Sequence, residues 1–437
     1  MATRSRLVIP ILVVALFGAA CGQKSGVAGS ETGGDGVTAQ PTTGSGNGGS
    51  GNAAPAAPAA RKAGPNDTSG ITADEIVIGI HAPVTGASPI PQTTFDTGKD
   101  IYWKFLADSA PKTLGGRKVR VVFRDDEFNP SRAVQVCREM VENEKAFVLV
   151  GGGGADQITA CAKYASQAGV PYFSAGVNEA GLTDLSTYFA LSLTYAQQVP
   201  LLIDLIKEIG AKKIAAVVTD TPSFKDAHDT FVAAAKRAGL DLVSDDSINK
   251  TASEAEALSE INKLKQAGAE VVFLLSSPLV FLGLASSARN QNYDPTFVGP
   301  GITSGLNAVM TFGCPAVGNS QFFSPFPGLD VINELDPDYL QAYARFGNGA
   351  KADDIGIALW GLNKTIGLMF QATPKLGRAA LMDTIEKTKS FASEVYPPVA
   401  YTPKQHFGGT GAQQLKADCT AKQFTTAAQF VKLGSGK

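Results

Sequence analysis

The sequence has no surplus of either charge: 38 Lys and Arg stand against 40 Asp and Glu, for a formal net charge of −2. A nucleic-acid footprint needs a basic face, so no nucleic-acid partner is expected. Histidine is scarce. His81, His228 and His406 are the only three, and none has a Cys or His at ligand spacing, which argues against a zinc or other metal site. No nucleophile elbow, no catalytic Ser-His-Asp order and no metalloprotease motif occurs, so no catalytic residue is assigned and the chain does not read as an enzyme. The four glycines at 151–154 lack the Gly-Lys-Ser/Thr of a P-loop, and the third glycine of a dinucleotide fingerprint would fall on Asp156. No cofactor is expected. The acid pairs Asp125-Asp126 and Asp353-Asp354 read as helix N-terminal charges rather than paired catalytic carboxylates. Beyond the first residues, no apolar run is long enough to span a bilayer.

What is present begins with an export signal. Residues 1–21 carry Arg4 and Arg6, an apolar run from Leu7 to Phe17, then Gly18-Ala19-Ala20-Cys21. This is a secretory signal, too short to persist as a spanning helix. A cysteine directly after small residues looks like a bacterial lipoprotein cleavage site, with Cys21 as the lipidated first residue; the alternative is an ordinary signal peptide cut near Ala20. On the first reading the protein is exported and lipid-anchored to the outer face of the bacterial cytoplasmic membrane. Residues 22–70 are rich in Gly, Ala, Ser, Thr and Pro, with almost no large apolar side chains. They read as a disordered tether with an r.m.s. reach of roughly 35–40 Å.

The remaining length suffices for two domains, and an apolar content of 44% for their cores. The most informative stretch is Phe147 to Asn178. Its FVLV is a short apolar run without alternation, as in a parallel strand covered on both faces. Four glycines follow, then Ile158, Cys161, Ala162 and Ala165 at helical spacing, a stop at Gly169 and Pro171, and a second strand in PYFS. A helix starting after Gly154 points its dipole back over the strand tip, where an acceptor group of a small molecule can sit; a purely structural βαβ turn is the alternative. Strands at Glu75–Ile80, Lys118–Phe123, Phe147–Val150 and Tyr188–Leu193 alternate with helices over Phe95–Ala107 and from Pro130. The pattern returns at Lys213–Thr219, Leu240–Ser247, Val271–Leu275 and Thr296–Val298, with helices at Leu202–Ile209, Phe224–Ala238, Glu254–Ala267 and from Pro278 to about Asn290. Such alternation predicts parallel sheets with helices on both faces. In the last third, Gln321–Pro327 is expected to pass back to the first lobe, helices to cover Pro337–Phe346, Asp354–Ala372 and Arg378–Lys387, and Glu394–Thr402 to return to the second. The predicted fold class is α/β: two doubly wound parallel-sheet lobes, residues 71–194 plus 327–395 and 195–326 plus 396–437, joined by several crossings that form a hinge.

Four segments carry a family resemblance: IVIGIHAPVTG at Ile76–Gly86, DDEFNPSRAVQ at Asp125–Gln135, the Phe147–Asn178 unit with GVPYFSAG, and VVFLLSSP followed by FVGPGI. In that order and spacing, the chain from about Ile71 to its end resembles the type I periplasmic binding proteins of ABC transporters, and most nearly the leucine/isoleucine/valine-binding group. The resemblance implies two lobes closing over a small-molecule solute, no covalent chemistry, and ABC permease subunits in the membrane as partners. Ligands of open α/β sheets sit beyond the carboxyl ends of the strands. That places the cleft at Pro83–Gln92, Gly151–Gln157, Ser174–Asn178, Thr219–Phe224, Ser276–Leu279 and Gly299–Ser304.

The family's amino-acid contacts, carried over by position, fall on Ala155 and Asn178, where a serine and a threonine hydroxyl are usual. Gly176 takes a backbone-carbonyl position between them, with Gly154 and Asp156 flanking Ala155 at the helix start. Gly301 stands where the resemblance implies an acid for the ligand amine, Ser277 near a tyrosine, and Phe224 at an aromatic position. The serine hydroxyl and the acid are thus missing. An ammonium would lose its charge partner in a closed cleft, a costly omission. The expected ligand is less zwitterionic: an organic acid, an amide, or a small aromatic or aliphatic compound. The alternative is that Asp156 or Asp226 supplies the charge. Besides Cys21 there are Cys137, Cys161, Cys314 and Cys419, and an exported protein sits in an oxidising compartment. In a doubly wound lobe of strand order 2-1-3-4 the helices after strands two and three lie side by side, and these carry Cys137 and Cys161. Cys314 and Cys419 are then left to pair in the second lobe; free buried thiols are the alternative. The expected function is an extracytoplasmic substrate-binding lipoprotein of an ABC importer, capturing a small amino-acid-like, organic-acid or amide solute. A ligand-sensing module signalling to a membrane partner is the alternative, and a secreted hydrolase a third class.

Overall fold

The structure, a computed structural model, describes residues 64, 67–175, 181–301 and 305–433. The expected signal peptide, Cys21, the tether as far as residue 63, Gly176 and Asn178 fall outside the described residues.

Strand β1 (Glu75–Ala82) pairs in parallel with β2 (Lys118–Asp125) on one side and β3 (Val148–Gly151) on the other; β4 (Tyr172–Ser174) and β5 (Tyr188–Ala190) extend the sheet, also in parallel. The order is β2-β1-β3-β4-β5. The unalternating apolar runs have their expected cause. Ile76, Ile78 and Ile80 of β1 pack in one cluster with Ile357 and Ile366 of the helix Asp354–Ala372. Val77 packs on the other face with Met140 and Ile158, from the helices Pro130–Glu142 and Ala155–Ala168. Asn129 caps the first of these, its side chain accepting from the Ser131 and Arg132 amides at 2.9 and 3.2 Å. The two helices lie side by side and carry the Cys137–Cys161 disulfide, with Cα atoms 6.1 Å apart.

The second sheet is larger. Strands β6 (Lys213–Thr219), β7 (Asp241–Ile248), β8 (Val271–Leu275), β9 (Thr296–Pro300) and β10 (Ser320–Ser324) run in parallel; β11 (Gly411–Asp418) and β12 (Gln423–Lys432) close one edge in antiparallel sense. The order is β12-β11-β10-β9-β8-β6-β7. Two separate apolar clusters cover its faces. The Cys314–Cys419 disulfide joins the end of the helix Asn307–Gly313 to the β11–β12 connection, with Cα atoms 5.6 Å apart. The architecture is α/β with two parallel-dominated, doubly wound lobes. Among the described residues no helix is long and apolar enough to cross a membrane.

Several boundaries differ from expectation, each for a local reason. The helix expected over Phe95–Ala107 is two helices, Gln92–Gly98 and Ile101–Ser109. Between them the carbonyl of Lys99 accepts from the Asn363 side chain at 3.2 Å. The helix expected from Leu202 starts at Tyr195, because Thr194 and Gln197 form a capping box that outweighs Pro200 inside the helix. Gln321–Pro327 is not one crossing strand: β10 stays in the second sheet, and Phe326 already belongs to the first lobe's core. Glu394–Thr402 does not return to the second lobe. Val399 bridges Phe391, Tyr396 and Tyr401 pack in the first core, and Phe407 bridges Ala190 at the edge of the first sheet. The last crossing therefore falls between Gly408 and Gly411, not at residue 396. It squeezes past the first crossing: a Cβ on Gly409 would lie 2.1 Å from the Ser192 carbonyl carbon and the Leu193 amide.

The tether also ends earlier than residue 70. Gly70 accepts from the Val77 amide at 2.8 Å, and Asp67 pairs with Arg378 at 2.8 Å. Arg378 is buried and donates to the carbonyls of Phe147 and Ala146 at 3.0 and 2.7 Å. An Arg378→Met protein keeps the volume but strands two buried carbonyls and one carboxylate. We expect it to lose about 3 kcal/mol of stability, read as a lower urea midpoint at an unchanged slope; an unchanged midpoint would mean water replaces the guanidinium at no cost.

Candidate functional site

The carboxyl ends of β1 and β3 face those of β6 and β8, and the space between them is a cavity of about 290 Å³. From the first lobe it is lined by Pro83, Ile90 and the loop Gly151–Gln157; from the second by Thr219, Thr221, Phe224 and Ser276–Leu279. Among the described lining residues Asp156 is the one carboxylate and Lys250 the one cation. Lys250 is exposed at the rim. Thr219 is 4% exposed, and among the described residues its hydroxyl has no hydrogen-bond partner. A buried hydroxyl left unpaired costs about 1–3 kcal/mol, and a solute that supplies its partner recovers that.

Two carboxylates of the first lobe hold the second. Asp156 Oδ1 accepts the hydroxyls of Thr221 and Ser223 at 2.7 and 2.5 Å. Asp354 Oδ2 accepts the Asn307 amide at 2.6 Å. Burial pushes the Asp354 carboxyl up to about 7; the Asn307 N–H opposes this and the neighbouring Asp353 adds to it. Burial also raises the Tyr195 phenol, with the Asp156 charge adding to the effect, so Tyr195 stays protonated beside the cavity.

This arrangement is a two-lobed pocket at paired strand tips, and the comparisons agree with it. A periplasmic binding protein family model matches residues 75–422. The chain belongs to the periplasmic binding protein family. A protein of Pseudomonas aeruginosa named as an amino acid binding protein is 26% identical over 209 residues, which is 46% of this chain and 53% of that protein. The chain spans about half the length of the curated relatives it matches. A possible leucine/isoleucine/valine-binding protein from Rhodopirellula baltica superposes with a TM-score of 0.72 at 15% identity, over 84% of this chain and 100% of its own. A solute-binding protein of an ABC transporter from Rhodopseudomonas palustris, in complex with 4-hydroxybenzoate, gives 0.68 at 18%, over 82% and 98%. Each named relative is a binding protein.

Within this periplasmic binding protein fold, Gly154, Ala155, Asp156, Phe224 and Ser277 all line the cavity. Gly301 does not. It is buried at the end of β9, where a Cβ would meet Phe322, Phe323 and Ser324 at 3.1–3.2 Å. Of the two acids that are the alternatives for the missing charge, Asp156 lines the cavity and Asp226 does not. The glycine run also has a plainer cause than ligand approach. A Cβ on Gly152 would sit 2.9 Å from Phe95, and one on Gly153 2.8 Å from Ile90, so these glycines let the preceding loop close over β3.

Sequence reasoning missed most of the far wall: Leu306, Val309, Phe326, Ile355, Leu359 and Tyr396. Their one legible signal is that the helix Asp354–Ala372 has scarcely a polar face, with 14 of its 19 residues buried. Spacing also set His81 apart from the cysteines, but the fold brings His81, Cys137 and Cys161 within 4.8 Å. The sulfurs are bonded to each other, and the imidazole nitrogens are engaged by Asp126 and by the Tyr172 hydroxyl, both at 2.7 Å. That uses every donor atom in the group.

Proposed function

We propose that this chain is the extracytoplasmic solute receptor of an ABC importer, exported and anchored by lipid at Cys21, and that its solute is a small apolar organic acid. The observation that carries the ligand class is a largely apolar wall that offers one unpartnered buried hydroxyl, Thr219, and one cation, Lys250. A carboxylate can accept from either, and Gly154, Ala155, Asp156, Phe224 and Ser277 line the same space. Asp156 already accepts two hydroxyls on one oxygen, which leaves it a poorer partner for an ammonium. The same fold occurs in a protein crystallised with 4-hydroxybenzoate and in one with bound valine, so the fold itself does not choose between an acid and an amino acid. Delivery to permease subunits follows from the family.

Calorimetric titration of the purified protein with 4-hydroxybenzoate and with valine tests the reading. Binding of the aromatic acid is expected, weakened about tenfold, or about 1.4 kcal/mol, by Lys250→Met, with no heat from valine. Valine binding with the acid silent would replace this reading by an amino-acid receptor in which Asp156 holds the ammonium.

A further inference from the structure

The cavity has a side that a compact acid would leave unfilled. Phe326, Leu359, Leu362 and Tyr396 line it while being only 1, 4, 2 and 1% exposed. They belong to the first lobe's core cluster, so the cavity reaches into that core. They come from the helix Asp354–Ala372 and from the segments that precede and follow it. This wall is dry. Tyr396 donates its hydroxyl to the Ala358 carbonyl at 2.8 Å, and the others have no polar side-chain atom to offer. A bound water needs two to four polar partners, and these side chains supply none. At the other extreme the same cavity is lined by Lys250, Leu279 and Phe312; the two apolar side chains are 55 and 81% exposed. One continuous space therefore runs from a charged rim to an apolar interior.

We propose that the inner part is a hydrocarbon subsite, and that the solute is a monocarboxylate with an extended acyl or arylalkyl body. This rests on the reading of the cleft as an organic-acid site. The volume of about 290 Å³ far exceeds the roughly 10–15 Å³ that admits one water, so there is room for an extended body beside the carboxylate. Within the subsite each added methylene is expected to tighten binding about fourfold, the equivalent of about 0.8 kcal/mol.

The test is a titration of the full-length protein with straight-chain carboxylates from butanoate to dodecanoate, with 4-hydroxybenzoate as a compact control. Affinity is expected to climb with chain length and then level off once the space is full. Leu362→Trp fills the inner end and should lower the ratio of decanoate to butanoate affinity at least about tenfold, the equivalent of fewer than two lost methylenes; Ala358→Leu, a smaller change on the same wall, serves should the tryptophan variant fail to fold. A flat series with 4-hydroxybenzoate still bound overturns the subsite alone. Silence from every acid overturns the subsite and the organic-acid reading together.

Discussion

Replacing Cys314 and Cys419 by serine is expected to cost about 5 kcal/mol of stability, more than any other change considered. The bridge closes a loop with a sequence separation of 105, against 24 for Cys137–Cys161. In the loop-entropy account a cross-link restricts the unfolded chain by an amount that grows with the logarithm of loop length, which gives about 5 and about 3.5 kcal/mol. The longer bridge also has a local task. It fixes the end of the helix Asn307–Gly313, which supplies Val309 and Phe312 to the cavity wall. The double-serine protein should therefore lose solute affinity as well as stability, whereas the Cys137/Cys161 pair, joined behind the first sheet, should lose stability only. Urea unfolding of the two variants side by side checks the order. A larger loss from the shorter loop would mean that unfolded-state entropy is not what these bonds control.

Stability is expected to fall as pH rises from about 4 to 7, with Asp354 as the main single cause. Its carboxyl moves from 3.8 to about 7 on burial in the folded protein. Between those values the native state keeps a proton that the unfolded chain has released. The slope of unfolding free energy with pH follows the protons bound unfolded minus those bound native, which is negative here. The contribution is complete below pH 4 and is lost as pH climbs through 7. At about 1.36 kcal/mol per unit the full span is roughly 4 kcal/mol. Burial raises Asp353 as well, so its slope has the same sign. Asp354→Asn isolates the effect: the amide oxygen can still accept from Asn307, but nothing titrates. Thermal unfolding at pH 5 and pH 7 should show a drop in the wild type and a much smaller one in the variant. Parallel drops would remove Asp354 from the account.

How far these features were legible depended on how local their cause is. β1, β3 and β8 are short apolar runs covered on two faces, and the run itself reports that burial. The Asn129 cap and the Gly169 stop are equally local. The Cys137–Cys161 pairing needed only the strand order, since that order sets two particular helices side by side. The last crossing was not legible. Tyr401 and Phe407 have no periodicity, and what decides their lobe is contact with Ala190 and Phe189, some two hundred residues away. The cavity divides in the same way. Gly154, Ala155, Asp156, Phe224 and Ser277 sit at strand tips, which alternation locates. Leu359 and Leu362 read simply as core, and only the fold shows that the space beside them is empty of protein.

The pairing of Asp67 with Arg378 fixes where the described chain enters the folded body. Arg378 grips the carbonyls of Ala146 and Phe147, just before β3 begins, while the glycine run that borders the cavity follows its end. The upstream chain thus joins at the rear of the first lobe, the full length of a strand behind the mouth. Under the proposed lipid anchoring at Cys21, tension on the chain would fall on the Asp67–Arg378 pair at the rear of the lobe and not on the walls of the cavity.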